Sequence, residues 1–206
     1  MNFEEHAAKP LLAAAGIATP PGAVASSADE AEAIARRIGA CVVKAQVPTG
    51  KRGKAGGIKL AATPEAAAAA AGEILGMEIG GHRVARVLVE AQVSIAAECY
   101  AAVLNDPESK GPLLLFSAIG GMEIEALTAT RPNALLRLPI DIRRGPLRGE
   151  VEPVLAGLGL DGAVAAAASA LVATAPGGVA IPAAASRGLA ACSSKFIASY
   201  FPYLAQ

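Results

Sequence analysis

Apolar positions recur along this chain with two periods, one helical and one strand-like. Near the start, Phe3, Ala7, Leu11 and Ala14 fall on one helical face. Asn2-Phe3-Glu4-Glu5 has the form of a capping box, with Glu5 able to reach back toward Asn2. The spacing predicts a helix to about Ala15, stopped by Gly16, then a turn or extended link at Thr19-Pro20-Pro21-Gly22. Ser26 and Ser27 before Asp29 and Glu30 mark a second helix start. Ala31, Ile34 and Ile38 give its stripe and Gly39 its end. A strand from Cys41 to about Val47 leads into a Gly-rich charged loop, and strand pattern resumes at Ile58-Lys59-Leu60. Thr63-Pro64-Glu65 caps a third helix, which the run of alanines from Ala66 carries to about Leu75. Three apolar runs follow: Val84 to Gln92, Glu98 to Leu104 with a turn at Asn105-Asp106-Pro107, and Leu113 to Phe116. The order α, α, β, β, α, β, β, β describes a mixed α/β or α+β domain rather than a bundle or solenoid.

Composition narrows the function classes. The 206 residues carry 18 basic and 18 acidic side chains, so overall basicity drives no nucleic-acid binding. About a quarter of the chain is Ala, which adds helix propensity and little core volume. Cys41, Cys99 and Cys192 lie far apart and no Cys/His cluster occurs, so neither a disulfide framework nor a zinc site is expected. With an acidic opening and no apolar leader, the expected compartment is the cytoplasm. The uncharged stretch Gly162 to Ser186 is interrupted by Pro176-Gly177-Gly178, and no membrane span is expected there.

The candidate chemistry sits in the loop from Lys44 to Gly57. It presents Lys44, Lys51, Arg52 and Lys54 among Gly50, Gly53, Gly56 and Gly57. Glycines let backbone amides approach an anion, and the cations neutralise phosphate charge. The loop lacks the GxxxxGK[ST] spacing of a Walker P-loop and leads into a strand. It reads equally as a polyphosphate clamp or a solvated basic hairpin tip. Glu90, at the end of an apolar strand, and Glu98 read as acceptors for a nucleotide amino group or ribose hydroxyl, as metal ligands, or as surface acids. Gly120-Gly121 before Glu123 and Glu125 is a weaker signal of a close ligand approach, and Arg143-Arg144-Gly145-Pro146 reads first as a solvated turn.

Four segments in the same order resemble one family: MNFEEHAAKPLLAAAGIATPPG, VVKAQVPTGKRGKAGGIKL, VLVEAQVSIAAECYAAVLND and GGMEIE. They are similar to the β subunit of ADP-forming succinate–CoA ligase, to malate–CoA ligase and to the matching part of ATP-citrate lyase. The resemblance implies an ATP-grasp fold, in which two α+β lobes clamp a nucleotide. It places an ATP-grasp nucleotide-binding region at residues 1–165. It implies that ATP with Mg2+ phosphorylates a histidine on a partner α subunit, that the phosphate passes to a carboxylic acid, and that CoA displaces it. On that reading Lys44 contacts nucleotide phosphates and Lys51-Arg52-Gly53 covers the nucleotide, where many members carry Gly-Arg-Gly. Glu90 and the backbone near Val93 face adenine and ribose, and Glu98 is a further nucleotide-binding acid. The phosphohistidine belongs to the partner, so neither His6 nor His82 is a candidate and no catalytic residue is assigned here.

The tail departs from that family. After Asp161 it has no Asp or Glu, only Arg187 and Lys195 are charged, and four of the seven aromatics lie in the last eleven residues. The resemblance implies an acidic strand like ELEINPL there, whose Asn and a following Asp hold magnesium, and then a CoA-ligase domain. No metal ligand is therefore assigned. The expectation is an atypical tail at 166–206, frameshifted or truncated near 165–172, in a chain inactive alone. A stand-alone nucleotide-binding module without catalysis is the competing expectation. Translation of the parent DNA in its other frames tests the frameshift, and turnover with a cognate α subunit separates the two functions.

Overall fold

The computed structural model describes residues 4–14, 18–95, 98–108, 110–119, 128–141 and 195–198. They form two compact units, divided near residue 93, with most of the first helix in the earlier unit. Asn2 and Phe3 of the expected capping box, the helix end expected at Ala15-Gly16, the 120–125 motif, Arg143-Arg144 and the Gly162–Ser186 stretch lie outside the described residues.

The first unit is a four-stranded antiparallel sheet with helices α1 (Glu5–Ala14), α2 (Ala28–Ile38) and α3 (Pro64–Ile74). Its strands β1 (Gly22–Ala25), β2 (Cys41–Ala45), β3 (Ile58–Ala61) and β6 (Val87–Ala91) run in the order β1-β6-β2-β3. Between α3 and β6 lies a small hairpin of β4 (Glu78–Ile79) and β5 (His82–Arg83), turned by Gly80 and Gly81 at positive φ.

The local signals for α2 and α3 act as expected. The Ser27 hydroxyl accepts from the Glu30 amide at 3.2 Å, and the Thr63 hydroxyl accepts from the Ala66 amide at 3.2 Å. Gly39, at φ 79°, closes α2 by donating to the Ala35 carbonyl. Both helices pack on one face of the sheet. Strand alternation sends Cys41, Val43 and Ala45 of β2 toward them, with Val87 and Val89 of β6 in matching register. Ala31, Ile34, Ala35, Ala67, Ala71 and Ile74 complete this core from the helices. Small alanines bring the helices close, and Ile74, wholly buried, supplies the largest aliphatic side chain.

The opposite face carries Gly22, Val24, Leu88, Glu90, Val42, Lys44, Ile58 and Leu60 by the same alternation. Helix α1 lies against it. The expected apolar stripe of α1 does not become core: α1 has no buried residue and Leu11 is 49% exposed. Alanine at two of the stripe positions gives too little apolar area to fix the helix, and its charged side chains reach the sheet instead.

The second unit is a sheet in the order β10-β7-β8-β9, with β7 (Tyr100–Asp106), β8 (Gly111–Ser117), β9 (Leu136–Pro139) and β10 (Lys195–Ala198). β10 pairs parallel with β7, and the other pairs are antiparallel. Every residue from Leu113 to Ser117 is buried. The turn expected at Asn105-Asp106-Pro107 comes later, because Asn105 and Asp106 still pair with Pro112 and Gly111. Ladder pairing there outweighs the local turn preference.

Candidate functional site

A chain of alternating charges crosses the face of the first sheet that α1 covers. Glu90 on β6 pairs with Val42 on β2, and Lys44 follows two residues along the same strand. Lys44 and Glu90 are therefore diagonal neighbours on one face, within reach of long side chains. Lys44 Nζ donates to Glu90 Oε2 at 2.5 Å and to Glu5 Oε1 at 2.9 Å. Lys9, one helical turn after Glu5, forms an ion pair with the other Glu90 oxygen. Arg52 closes the series. Its Nη2 donates to Glu5 Oε2 at 2.8 Å and its Nη1 to the Ala45 carbonyl at 2.9 Å.

Glu90 is only 5% exposed, so its reading as a surface acid is overturned. A buried carboxylate requires cationic partners, and Lys9 and Lys44 supply them. Glu5 is held differently from the expected capping box: its two oxygens go to Lys44 and Arg52. Burial alone would raise the Glu5 carboxyl, but the Lys44 and Arg52 cations outweigh it and hold it below the ordinary 4.5.

The loop after β2 is built on its own backbone. Ala45 donates to the Gly57 carbonyl at 2.7 Å, and Gly57 donates to the Arg52 carbonyl at 2.8 Å. A Cβ on Gly57 would stand 2.7 Å from Ile79 Cδ1 and 3.0 Å from Ala45 Cβ, so this position needs glycine for close approach. Lys51 sits at φ 62°, in the left-handed region that glycine favours. Lys51 and Gly53 are exposed on the outer part of the loop, while Arg52 turns back onto the sheet. Gln46, 1% exposed, donates to the Lys44 and Ala45 carbonyls at 3.1 Å and accepts from the His6 amide at 2.9 Å. It links the start of the loop to α1.

The structure thus brings Lys44, Arg52 and Glu90 together. Val93 lies three residues past Glu90, half-buried, where Gln92 donates to the Ala40 carbonyl as the chain leaves the sheet. Glu98 belongs to the second unit and is half-buried there, just ahead of β7. Glu5, Lys9 and Gln46 are the participants that sequence reasoning missed. The i, i+4 spacing of Glu5 and Lys9 was the available signal, since it places both on one helix face. Among the described residues no group of three or more His, Cys, Asp or Glu could hold a metal ion, and no helix is long and apolar enough to cross a membrane.

The ATP-grasp domain family matches residues 2–178. The β subunit of ADP-forming succinate–CoA ligase from Rubrobacter xylanophilus is 46% identical over 166 residues, covering 80% of this chain and 43% of that protein. The β subunit of GDP-forming succinate–CoA ligase from Thermus thermophilus is 44% identical over 174 residues, covering 84% of this chain and 46% of that protein. The matched part of the chain spans less than half the length of these curated relatives. Among solved structures, the dinucleotide-forming acetyl-coenzyme A synthetase 1 of Ca. Korarchaeum cryptofilum superposes with a TM-score of 0.62 at 20% identity, covering 92% of this chain and 77% of that chain. ATP citrate lyase from Methanothrix soehngenii gives 0.60 at 22% identity, covering 84% of this chain and 42% of that chain. At those identities the structural matches speak for the fold.

Proposed function

Because the chain belongs to the ATP-grasp family and is homologous to succinate–CoA ligase β subunits, we propose that it is the nucleotide-binding part of an ADP-forming acid–CoA ligase. The observation that carries this reading is the placement of Lys44 and Arg52 together on the sheet face beneath α1, beside a glycine-rich loop and the buried acid Glu90. Lys44 offers a point charge and Arg52 a fork to nucleotide phosphate oxygens, with loop amides near Lys51 and Gly53 approaching from outside. Glu90 accepts from an adenine amino group or a ribose hydroxyl, with the backbone at Val93 alongside. Glu98 is proposed as a second acceptor. The names of the curated relatives favour succinate as the acid, and the phosphoryl group is proposed to pass through a histidine of a partner α subunit.

Magnesium belongs to the reaction of such ligases, yet the described residues offer no cluster to hold it. The chain's own residues bind, orient and neutralise the nucleotide, and acyl transfer requires further protein.

Calorimetric titration with ADP, with and without magnesium, tests the reading against a Lys44→Ala control. Binding that needs Lys44 is expected. Binding that survives the substitution unchanged, or no binding by the wild type, overturns it. If binding holds but turnover with a cognate α subunit never appears, the chain is a non-catalytic nucleotide-binding module.

A further inference from the structure

We propose that Glu5 occupies the phosphate-binding position of the site, so that nucleotide binding exchanges against the docking of helix α1. This rests on the assignment of Lys44 and Arg52 to nucleotide phosphates.

The geometry is that of one oxyanion standing in for another. Glu5 presents two oxygens, one to Lys44 at 2.9 Å and one to Arg52 at 2.8 Å. Two non-bridging oxygens of a phosphate would make the same pair of contacts, since both groups suit a cation and a guanidinium fork. While Glu5 is in place, both cations are engaged by a carboxylate. The five side chains Glu5, Lys9, Lys44, Arg52 and Glu90 then sum to a single positive charge. Undocking α1 withdraws Lys9 together with Glu5, so the net charge stays at one, but Lys44 and Arg52 are both released from Glu5 to meet a polyphosphate.

Helix α1 is suited to that exchange. It buries no residue, so leaving the sheet costs little apolar contact. Its attachments are polar: Glu5 to Lys44 and Arg52, Lys9 to Glu90, His6 to Gln46, and Glu4 to Arg86 at 3.2 Å. Polar contacts of this kind are open to replacement by a more highly charged anion that satisfies the same cations. Helices α2 and α3 are tied to the other face by buried aliphatic side chains, which no anion displaces.

The test measures ADP affinity of wild type and Glu5→Gln, together with amide hydrogen exchange across α1 in the wild type. Glutamine keeps the size and removes the charge. The expected result is roughly tenfold tighter ADP binding by Glu5→Gln, the scale of one charge-assisted hydrogen bond pair. Faster exchange of the α1 amides is expected when ADP saturates the wild type, with α2 and α3 unchanged. If Glu5 instead positions Lys44 and Arg52 for the nucleotide, Glu5→Gln binds ADP more weakly and α1 becomes more protected, which overturns the proposal. ADP binding that needs Lys44 but is equal in wild type and Glu5→Gln overturns it too, and leaves the nucleotide assignment standing. No ADP binding by either protein defeats the nucleotide assignment, and this inference with it. The exchange measurement uses the unmutated protein, so it decides even if the variant folds poorly.

Discussion

The two faces of the first sheet are covered by helices in opposite ways. On one face α2 and α3 dock through Ala31, Ile34, Ala67, Ala71 and Ile74, all buried and all without charge. On the other, α1 docks through Glu5, His6 and Lys9 with no buried residue of its own. Apolar burial is non-directional and offers a passing anion nothing to displace, so the first arrangement makes a scaffold. Ion pairs are exchangeable, so the second makes a face where a charged ligand can compete. The lesson is local: one sheet separates support from chemistry by the alternation of its strands.

The strongest way to break this contrast is to cut into each face in turn. Ile74→Ala should cost about 3 kcal/mol in urea denaturation, through lost transfer energy and a residual cavity, and leave ADP affinity unchanged in the protein that remains folded. Glu90→Gln on the opposite face should cost about 2 kcal/mol, because Lys9 and Lys44 lose a buried counter-charge, and should weaken ADP binding as well. Equal effects of both substitutions on nucleotide affinity would erase the distinction.

A gentler probe is Gly22→Ala, where β1 passes Glu90. A Cβ there would come within 2.6 Å of the Val89 carbonyl oxygen and 2.9 Å of Glu90 Cα. The strands must separate, so a loss of about 1–2 kcal/mol is expected by thermal melting. Acid sharpens the contrast without mutation. The Glu5 carboxyl titrates lower in the fold than in the unfolded chain, so its stabilising contribution is complete above pH 4.5 and lost as pH falls through its folded value. Hydrogen exchange along that titration should release α1 before α2 and α3. The smallest effect is expected at Lys51→Gly. Relief of left-handed backbone at φ 62° should stabilise the protein by about 1 kcal/mol or less, read as a small rise in melting temperature.

What was legible beforehand follows from how local each signal is. The caps Ser27 and Thr63, the stop at Gly39 and the loop between β2 and β3 act within a few residues, and all appear where the sequence puts them. β1 was not read, because Gly22-Ala23-Val24-Ala25 has little strand propensity and becomes a strand through its pairing with β6, some 65 residues away. The β4–β5 hairpin was also missed, although Gly80-Gly81 is a recognised two-residue turn signal. In the site, Lys44 and Arg52 could be named from the loop and Glu90 from its odd position in an apolar strand. Their shared partner Glu5 could not, since its local pattern speaks for a helix cap and only the tertiary pairing turns it toward the sheet.

The most direct test of the account is a titration of isotopically labelled protein with ADP, followed by amide chemical shifts. The account predicts saturable shifts at Lys44 to Gly57, at Leu88 to Val93 and along α1, with α2 and α3 quiet. Shifts centred on α2 and α3, or none at the charged face, would contradict it.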